Sequence, residues 1–407
     1  MDPTSVIRNL FKLTESQMSQ PQKQLLLKEN QIVMGQVLKL FPEQKALIQV
    51  GSSKLIAQLE TSINPFEKYW FRVKGTEQQG VSLKMMKQLE GNNKSQQSVA
   101  IDLLSLFQQR SSKENVMLVN KLLNENIPIT KEQVVAATEI LKHTSKKEMP
   151  NVVNAIISSM KKQLPITIGV VKSIIEAQTS IPLVKQIDQL FHTLQHEKHQ
   201  SKAMKQLTEF LFHLIQKPID FHIGKNMKEL MSLKQLLIGA KNDTSQPLLR
   251  EQIDQLIHRF HGQSLLQQQV IGPTLHVITQ IPFFMPNHQT DLMIQWQGKK
   301  QEDGKIDPAF CRILFYLQLP TLNETLIDVQ IQNRIMNITI RNNNATLGEL
   351  VTLHSDGLKE ILHEMNYRLT IVNVRPFESS SGSSGKPTNR VNIPQITTSY
   401  NGVDIKI

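Results

Sequence analysis

The chain has 407 residues, 39% of them hydrophobic and 20% charged, with a formal net charge of +11 and one cysteine. This length exceeds what one core organises, and the composition is that of a folded multidomain chain rather than a disordered one. No run approaches the roughly 18 apolar residues of a membrane helix, Met1 to Gln36 lacks a secretory core, and a lone cysteine excludes an intrachain disulfide. The compartment expected is the reducing cytoplasm.

Residues 1–30 read as a polar leader rich in Gln and Ser. Residues 31–90 carry five short strands, Ile32–Leu40, Ala46–Val50, Lys54–Leu59, Tyr69–Lys74 and Val81–Met86, punctuated by Gly51, Asn64-Pro65, Gly75 and Gly80. Five strands in so little chain predict a small β-barrel of the OB or SH3-like type. Gly91 to Ser95 is a polar linker.

Residues 96–265 switch to helical spacing, from Leu103, Leu104 and Phe107 through Leu190, Leu194, Leu207, Phe210, Leu211 and Leu214. The expectation is one all-α region of six to eight helices. Ile127-Pro128-Ile129-Thr130 recurs as Leu164-Pro165-Ile166-Thr167, each before a helix. Thr130 with Gln133 makes a capping box, stapled by Ile129 and Val134; Thr167 repeats the cap, but Val170 cannot complete a box. Two copies do not make a solenoid.

Residues 266–377 are expected to form one α+β domain with a mixed sheet and one long helix. Strands start at Leu275–Ile281 and Leu292–Trp296, with a charged turn from Lys299 to Asp307. Cys311, Ile313, Phe315, Leu317 and Leu319 then alternate with other residues, as do Ile327, Val329 and Ile331, and Met336, Ile338 and Ile340. Leu319-Pro320-Thr321-Leu322-Asn323-Glu324 is a turn, and Thr346-Leu347-Gly348-Glu349 reads as a capping box. The helix it opens carries Leu347, Leu350, Val351, His354, Leu358, Ile361, Leu362 and Met365 along a stripe, with Asn366 as a left-handed C-cap. Leu369 to Val374 is nearly continuous apolar, a strand predicted to be covered on both faces and parallel to its neighbour after the helical crossover. Residues 378–407 are a flexible tail, Ser/Gly-rich at first, whose Val403, Ile405 and Ile407 alternate like a strand suited to a sheet edge.

The block from Cys311 to Val374 resembles the C-terminal domain of the flagellar hook-length control protein family, which runs strand, Leu/Pro/Leu-Gly turn, strand, strand, helix, strand. The family's turn usually has Gly after its second Leu; here Asn323 stands there, and Asn tolerates the same left-handed backbone. The resemblance implies a non-enzymatic regulator of type III export specificity, either a length controller exported through the flagellar apparatus or a cytosolic relative. It implies a protein partner, the cytoplasmic domain of the export-gate switch protein. On that reading Leu319, Pro320, Leu322, Asn323 and Leu326 shape or anchor the binding surface, Leu326 from the face opposite Ile327, Val329 and Ile331. Glu349, Lys359, Glu360 and Glu364 offer its orienting rim.

The alternative is a nucleic-acid-binding protein. Residues 1–95 hold 13 basic against 8 acidic residues, 96–265 hold 21 against 15, and 266–407 hold 12 against 12, so the basicity lies in the first two-thirds. Tyr69-Trp70-Phe71 beside Lys68, Arg72 and Lys74 is the candidate stacking platform, although at least one of its faces fills the barrel. No catalytic constellation emerges. His192, His196 and His199 lack the Glu that a zinc-binding helix needs after its first His. Ser383 to Thr388 lacks the leading Gly of a phosphate loop and has Pro387 where Ser or Thr should be. Basic residues in His258-Arg259-Phe260-His261 suit the late part of a helix, and Cys311 reads as a buried structural thiol. No cofactor, metal or small-molecule substrate is expected.

Overall fold

The computed structural model describes Leu27 and residues 29–50, 53–61, 63–75, 81–88, 96–125, 127–197, 200–216, 223–271, 274–285, 288–301 and 305–377. The chain divides into two compact units, Gln20–Ile175 and a second that takes in Glu176–Ile407. The first holds the barrel, β1 (Ile32–Phe41), β2 (Lys45–Val50), β3 (Ser53–Leu59), β4 (Lys68–Gly75) and β5 (Val81–Gln88), closed in the order β1-β2-β3-β5-β4. Only β3 and β5 run parallel. Val37, Ala46, Ile48, Phe71, Val73 and Leu83 fill the interior, each wholly buried. Gly35 permits that packing, since a Cβ there would lie 2.6 Å from Ile48 Cγ2.

Nine helices follow among the described residues, where six to eight were expected: α1 (Gln96–Leu106), α2 (Lys113–Asn124), α3 (Lys131–Lys142), α4 (Met149–Lys161), α5 (Ile168–Ala177), α6 (Leu183–Gln195), α7 (Lys202–Gln216), α8 (Ile223–Lys241) and α9 (Pro247–Leu266). Short polar connections cut the periodic sequence into more pieces than its stripes reveal. The boundary between the compact units falls within α5, inside the span 96–265. Ile32 and Ile129 exchange backbone hydrogen bonds of 2.6 and 3.2 Å, which tie β1 to the approach of α3 within the first unit. The Thr130 capping box forms, with Gln133 N donating to Thr130 Oγ1 at 3.2 Å and Thr130 N to Gln133 Oε1 at 3.0 Å.

The second unit is built on a seven-stranded sheet, β6 (Gln268–Ile271), β7 (Thr274–Met285), β8 (His288–Lys300), β9 (Ile306–Leu319), β10 (Asn323–Gln332), β11 (Ile335–Arg341) and β12 (Arg368–Arg375), in sequential order. All pairs are antiparallel except β11 and β12, which are joined through α10 (Leu347–Glu364), so the sheet is mixed as expected. Helices α6 to α9 pack one apolar core with Ile281, Leu292, Ile294 and Leu317 of the sheet. A second core collects Cys311, Val329, Ile331, Met336, Ile338 and Leu369, with Leu362 of α10 packed against it. Among the described residues no helix is long and apolar enough to cross a membrane.

β12 corrects one expectation. Its apolar run is not covered on both faces: only Leu369 is buried, and Ile371 is 46% exposed. Among the described residues it is the outermost strand, and α10, the helix packed on it, leaves most of its side chains partly or fully exposed. The strand-like Val403–Ile407 lies outside the described residues.

Candidate interaction surface

The turn between β9 and β10 and the helix α10 carry the residues singled out in the sequence. Asn323 closes the turn with φ 55°, the left-handed geometry that Gly would otherwise supply. A side chain from beyond β11 holds this turn in place. Asn342, 2% exposed, donates from Nδ2 to Leu322 O at 2.7 Å, Glu324 O at 2.9 Å and Thr325 Oγ1 at 2.9 Å. Its Oδ1 accepts from Asn344 N at 2.7 Å, so one buried amide fixes the turn and the entry to α10 together. Sequence spacing gives no sign of this, because the partners lie across two strands.

The capping box expected at Thr346 and Glu349 does not form. Thr346 has helical backbone angles, φ −83° and ψ −9°, and no side-chain capping bond; a capping side chain needs extended backbone. Asn344 substitutes, its Oδ1 accepting from Thr346 N at 2.9 Å and Thr346 Oγ1 at 2.8 Å. At the other end Asn366 adopts φ 67°, the left-handed cap that was expected.

Of the proposed surface residues, Pro320 and Asn323 are exposed, Leu322 is half-buried, and Leu319 is half-buried against the helix–sheet core. Leu326 lies between Tyr316 and Arg341 in the sheet and is only 3% exposed, so it is not available as a surface anchor. Glu349, Lys359 and Glu360 are exposed on α10, where Lys359 Nζ bonds Asp356 Oδ1 at 2.9 Å.

The apolar stripe of α10 is split lengthwise. Val351, Ser355 and Leu362 are half-buried on the side packed against β12, and Leu358 in the same row is 37% exposed. The adjoining row, Leu350, His354, Gly357, Ile361 and Met365, is open: Leu350 is 48%, Ile361 54% and Met365 61% exposed. The row beyond it holds Glu349, Leu353, Asp356, Glu360 and Glu364, with Leu353 74% exposed. These rows follow from the three- and four-residue spacing of a helix face. In the whole helix Leu347 alone is fully buried. Single exposed leucines are ordinary, but Leu350, Ile361 and Met365 on one row with Leu353 beside them, interrupted by His354 and Gly357, group several exposed apolar side chains on one side of the helix, as on a surface that another element covers.

Arg259 also departs from its expected role. It is 0% exposed near the middle of α9, well short of the C-terminal turn, so the helix dipole does not account for it. Its Nη1 donates to Ile181 O and Gln186 Oε1, both at 2.6 Å, and its Nη2 to Gln280 Oε1 at 3.2 Å. Gln280 Nε2 in turn donates to Asp291 Oδ2 at 2.6 Å. Asp291 then caps α6 from a distance, accepting from Leu183 N at 2.6 Å and Val184 N at 3.0 Å, where Pro182 has no side chain to do so. Burial lowers the Arg259 guanidinium to about 10, still charged near neutrality, while the Asp291 and Glu176 charges oppose that change. Burial pushes Asp291 up against the pull of Arg259 and its N–H donors. This is a structural network joining α6, α9, β7 and β8, in which the Arg259 Nη1 and Nη2 groups are bonded while its buried Nε has no hydrogen-bond partner.

Cys311 is buried, and burial pushes its thiol up to about 11. His192 is exposed on α6 near Asp188, His196 follows the last turn, and His199 lies outside the described residues. No group of three or more His, Cys, Asp or Glu among the described residues could hold a metal ion. Tyr69, Trp70 and Phe71 are 2%, 1% and 0% exposed, so none presents a ring for base stacking. Ser383 to Thr388 lies outside the described residues.

No family model matches the chain, and no solved structure matches it. It is similar to the uncharacterized protein YlqG of Bacillus subtilis (strain 168), 21% identical over an alignment 522 positions long that covers 85% of this chain and 90% of that protein.

Proposed function

We propose that this protein is a non-enzymatic cytoplasmic regulator that works by protein–protein contact and acts, as hook-length control proteins do, on the substrate specificity of a type III export apparatus. The observation that carries the reading is the open apolar row of α10, 48 to 61% exposed at Leu350, Ile361 and Met365. It belongs to the block that resembles the family's C-terminal domain. The Asn342 bonds couple that helix entry to the Leu319–Glu324 turn, so turn and helix make one preorganised surface. The partner is the cytoplasmic domain of an export-gate switch protein.

The test is binding of the full-length chain to that domain by calorimetry, comparing the native protein with Leu350→Asp and Leu353→Asp. Binding by the native chain and loss of at least about tenfold in the variants is expected, since truncated anchors cost more than about 1 kcal/mol. No binding by the folded native chain overturns the reading.

One observation favours a second reading. Gln20–Ile175 holds 21 lysines and arginines against 12 acidic residues, a net +9, which suits a polyanion such as nucleic acid. Burial of all three barrel aromatics leaves that reading with charge alone.

A further inference from the structure

We infer that the open side of α10 seats an amphipathic helix of a partner protein, apolar along one stripe and lined by lysine or arginine on the edge that meets the α10 carboxylates. This deepens the reading above by stating the chemistry of the partner's contact, and it rests on that reading only for the partner's identity.

Charge complementarity is the first argument. The exposed apolar row of Leu350, Ile361 and Met365 is bounded on its outer side by Glu349, Asp356, Glu360 and Glu364. Only Asp356 has an ion pair among the described residues, with Lys359; Glu349, Glu360 and Glu364 have none there. An occupant of the row therefore meets apolar side chains at Leu350, Ile361 and Met365, the His354 ring and the Gly357 backbone between them, and along one edge three carboxylates without an ion pair among the described residues. A basic edge satisfies them, and an acidic or neutral edge does not.

Shape is the second. Gly357 sits in the middle of the apolar row, and a Cβ built on it meets nothing within 4 Å. Glycine weakens a helix interior, yet here it leaves a notch between Leu353 and Ile361 where a second helix approaches closely. A second copy of this chain fits worse. A two-fold pairing of α10 with itself would bring two carboxylate rows to one seam without compensating cations.

The experiment uses the full-length chain and two synthetic helical peptides with one leucine stripe, flanked by lysines in one and by glutamates in the other. The lysine peptide should bind the native chain at least about tenfold more tightly than the glutamate peptide, and less so at high salt. A chain carrying Glu360→Lys and Glu364→Lys should reverse that preference, and Leu353→Asp should abolish binding of both peptides. Gly357→Leu, whose Cβ meets nothing within 4 Å and whose circular dichroism should match the native chain, should also weaken binding about tenfold. Equal binding of the two peptides, or binding unchanged in the charge-reversed and Leu353→Asp chains, overturns the inference. A gain of about tenfold on removing residues 378–407 would make the chain's own tail the occupant and overturn it too. If the lysine peptide behaves as stated and the export-gate domain does not bind, the proposed function fails and this surface stands. If that domain binds regardless of these substitutions, the surface fails and the function stands.

Discussion

Helices α6 and α10 have comparable apolar stripes, and the fold treats them in opposite ways. In α6, Leu183, Val184, Ile187, Leu190 and Leu194 are all 0% exposed, enclosed by α7, α9 and the sheet. In α10 the corresponding stripe has one half-buried row against β12 and one row open to solvent. The difference comes from position. α6 lies inside a helical layer, whereas α10 packs on the outermost strand and, among the described residues, has a neighbour on one side only. Amphipathicity states that a face gains by being covered, and says nothing about whether the cover belongs to the same chain.

That contrast can be broken at its strongest point first. If α6 is held by the buried network, Arg259→Ala should destabilise the chain by about 3–5 kcal/mol, because it leaves the buried Asp291 without its counter-charge and Gln186 Oε1 without the Arg259 donor. Urea unfolding followed by circular dichroism measures it; a loss below about 1 kcal/mol would mean that the network does not anchor α6. Next, Leu190→Ala should cost about 2–5 kcal/mol through an unfilled cavity, while Leu353→Ala on α10 should change stability by less than about 0.5 kcal/mol. Equal losses at the two positions would show that α10 is covered within the chain.

A third measurement sharpens the comparison beneath α10. Cys311 belongs to the core that Leu362 of α10 helps to close, and its thiol is pushed up to about 11 by burial and by the Asp307 charge. The thiol is the neutral form below that value, so its thiolate fraction at pH 8 is roughly a hundredfold smaller than that of an ordinary thiol. Alkylation at pH 8 should be slower by about that factor in the native chain than in urea, and the native rate should keep rising with pH up to about 11. Fast native alkylation at pH 8 would mean that α10 leaves this core readily.

Much of the architecture was legible because it is local. The five barrel strands lie within a few residues of where alternation and glycine punctuation placed them, and Thr130 caps α3 with Gln133 as its spacing required. Asn323 and Asn366 both take the left-handed backbone that their turn and cap positions called for. Each of these is settled by a side chain acting on its own backbone or on a residue three or four positions away.

What escaped the sequence is non-local. Leu326 was placed on the surface because it opposes Ile327, Val329 and Ile331, yet it is buried, as are Tyr316 beside it and Asp328 two residues on. Thr346 looked like a cap, and Asn344 took that place once the loop after β11 closed on Asn342. Arg259 read as a basic residue suited to the late part of a helix, and its partners at Ile181, Gln186 and Gln280 lie far from it in the chain. The sequence by itself determined the order of barrel, helical region and mixed sheet, the turns at Asn323 and Asn366 and that α10 is amphipathic, but not how many helices the central region divides into. Only the tertiary structure decided which apolar faces meet a partner inside the chain and which, like the outer row of α10, are left open, because that depends on strand order and packing that no local periodicity encodes.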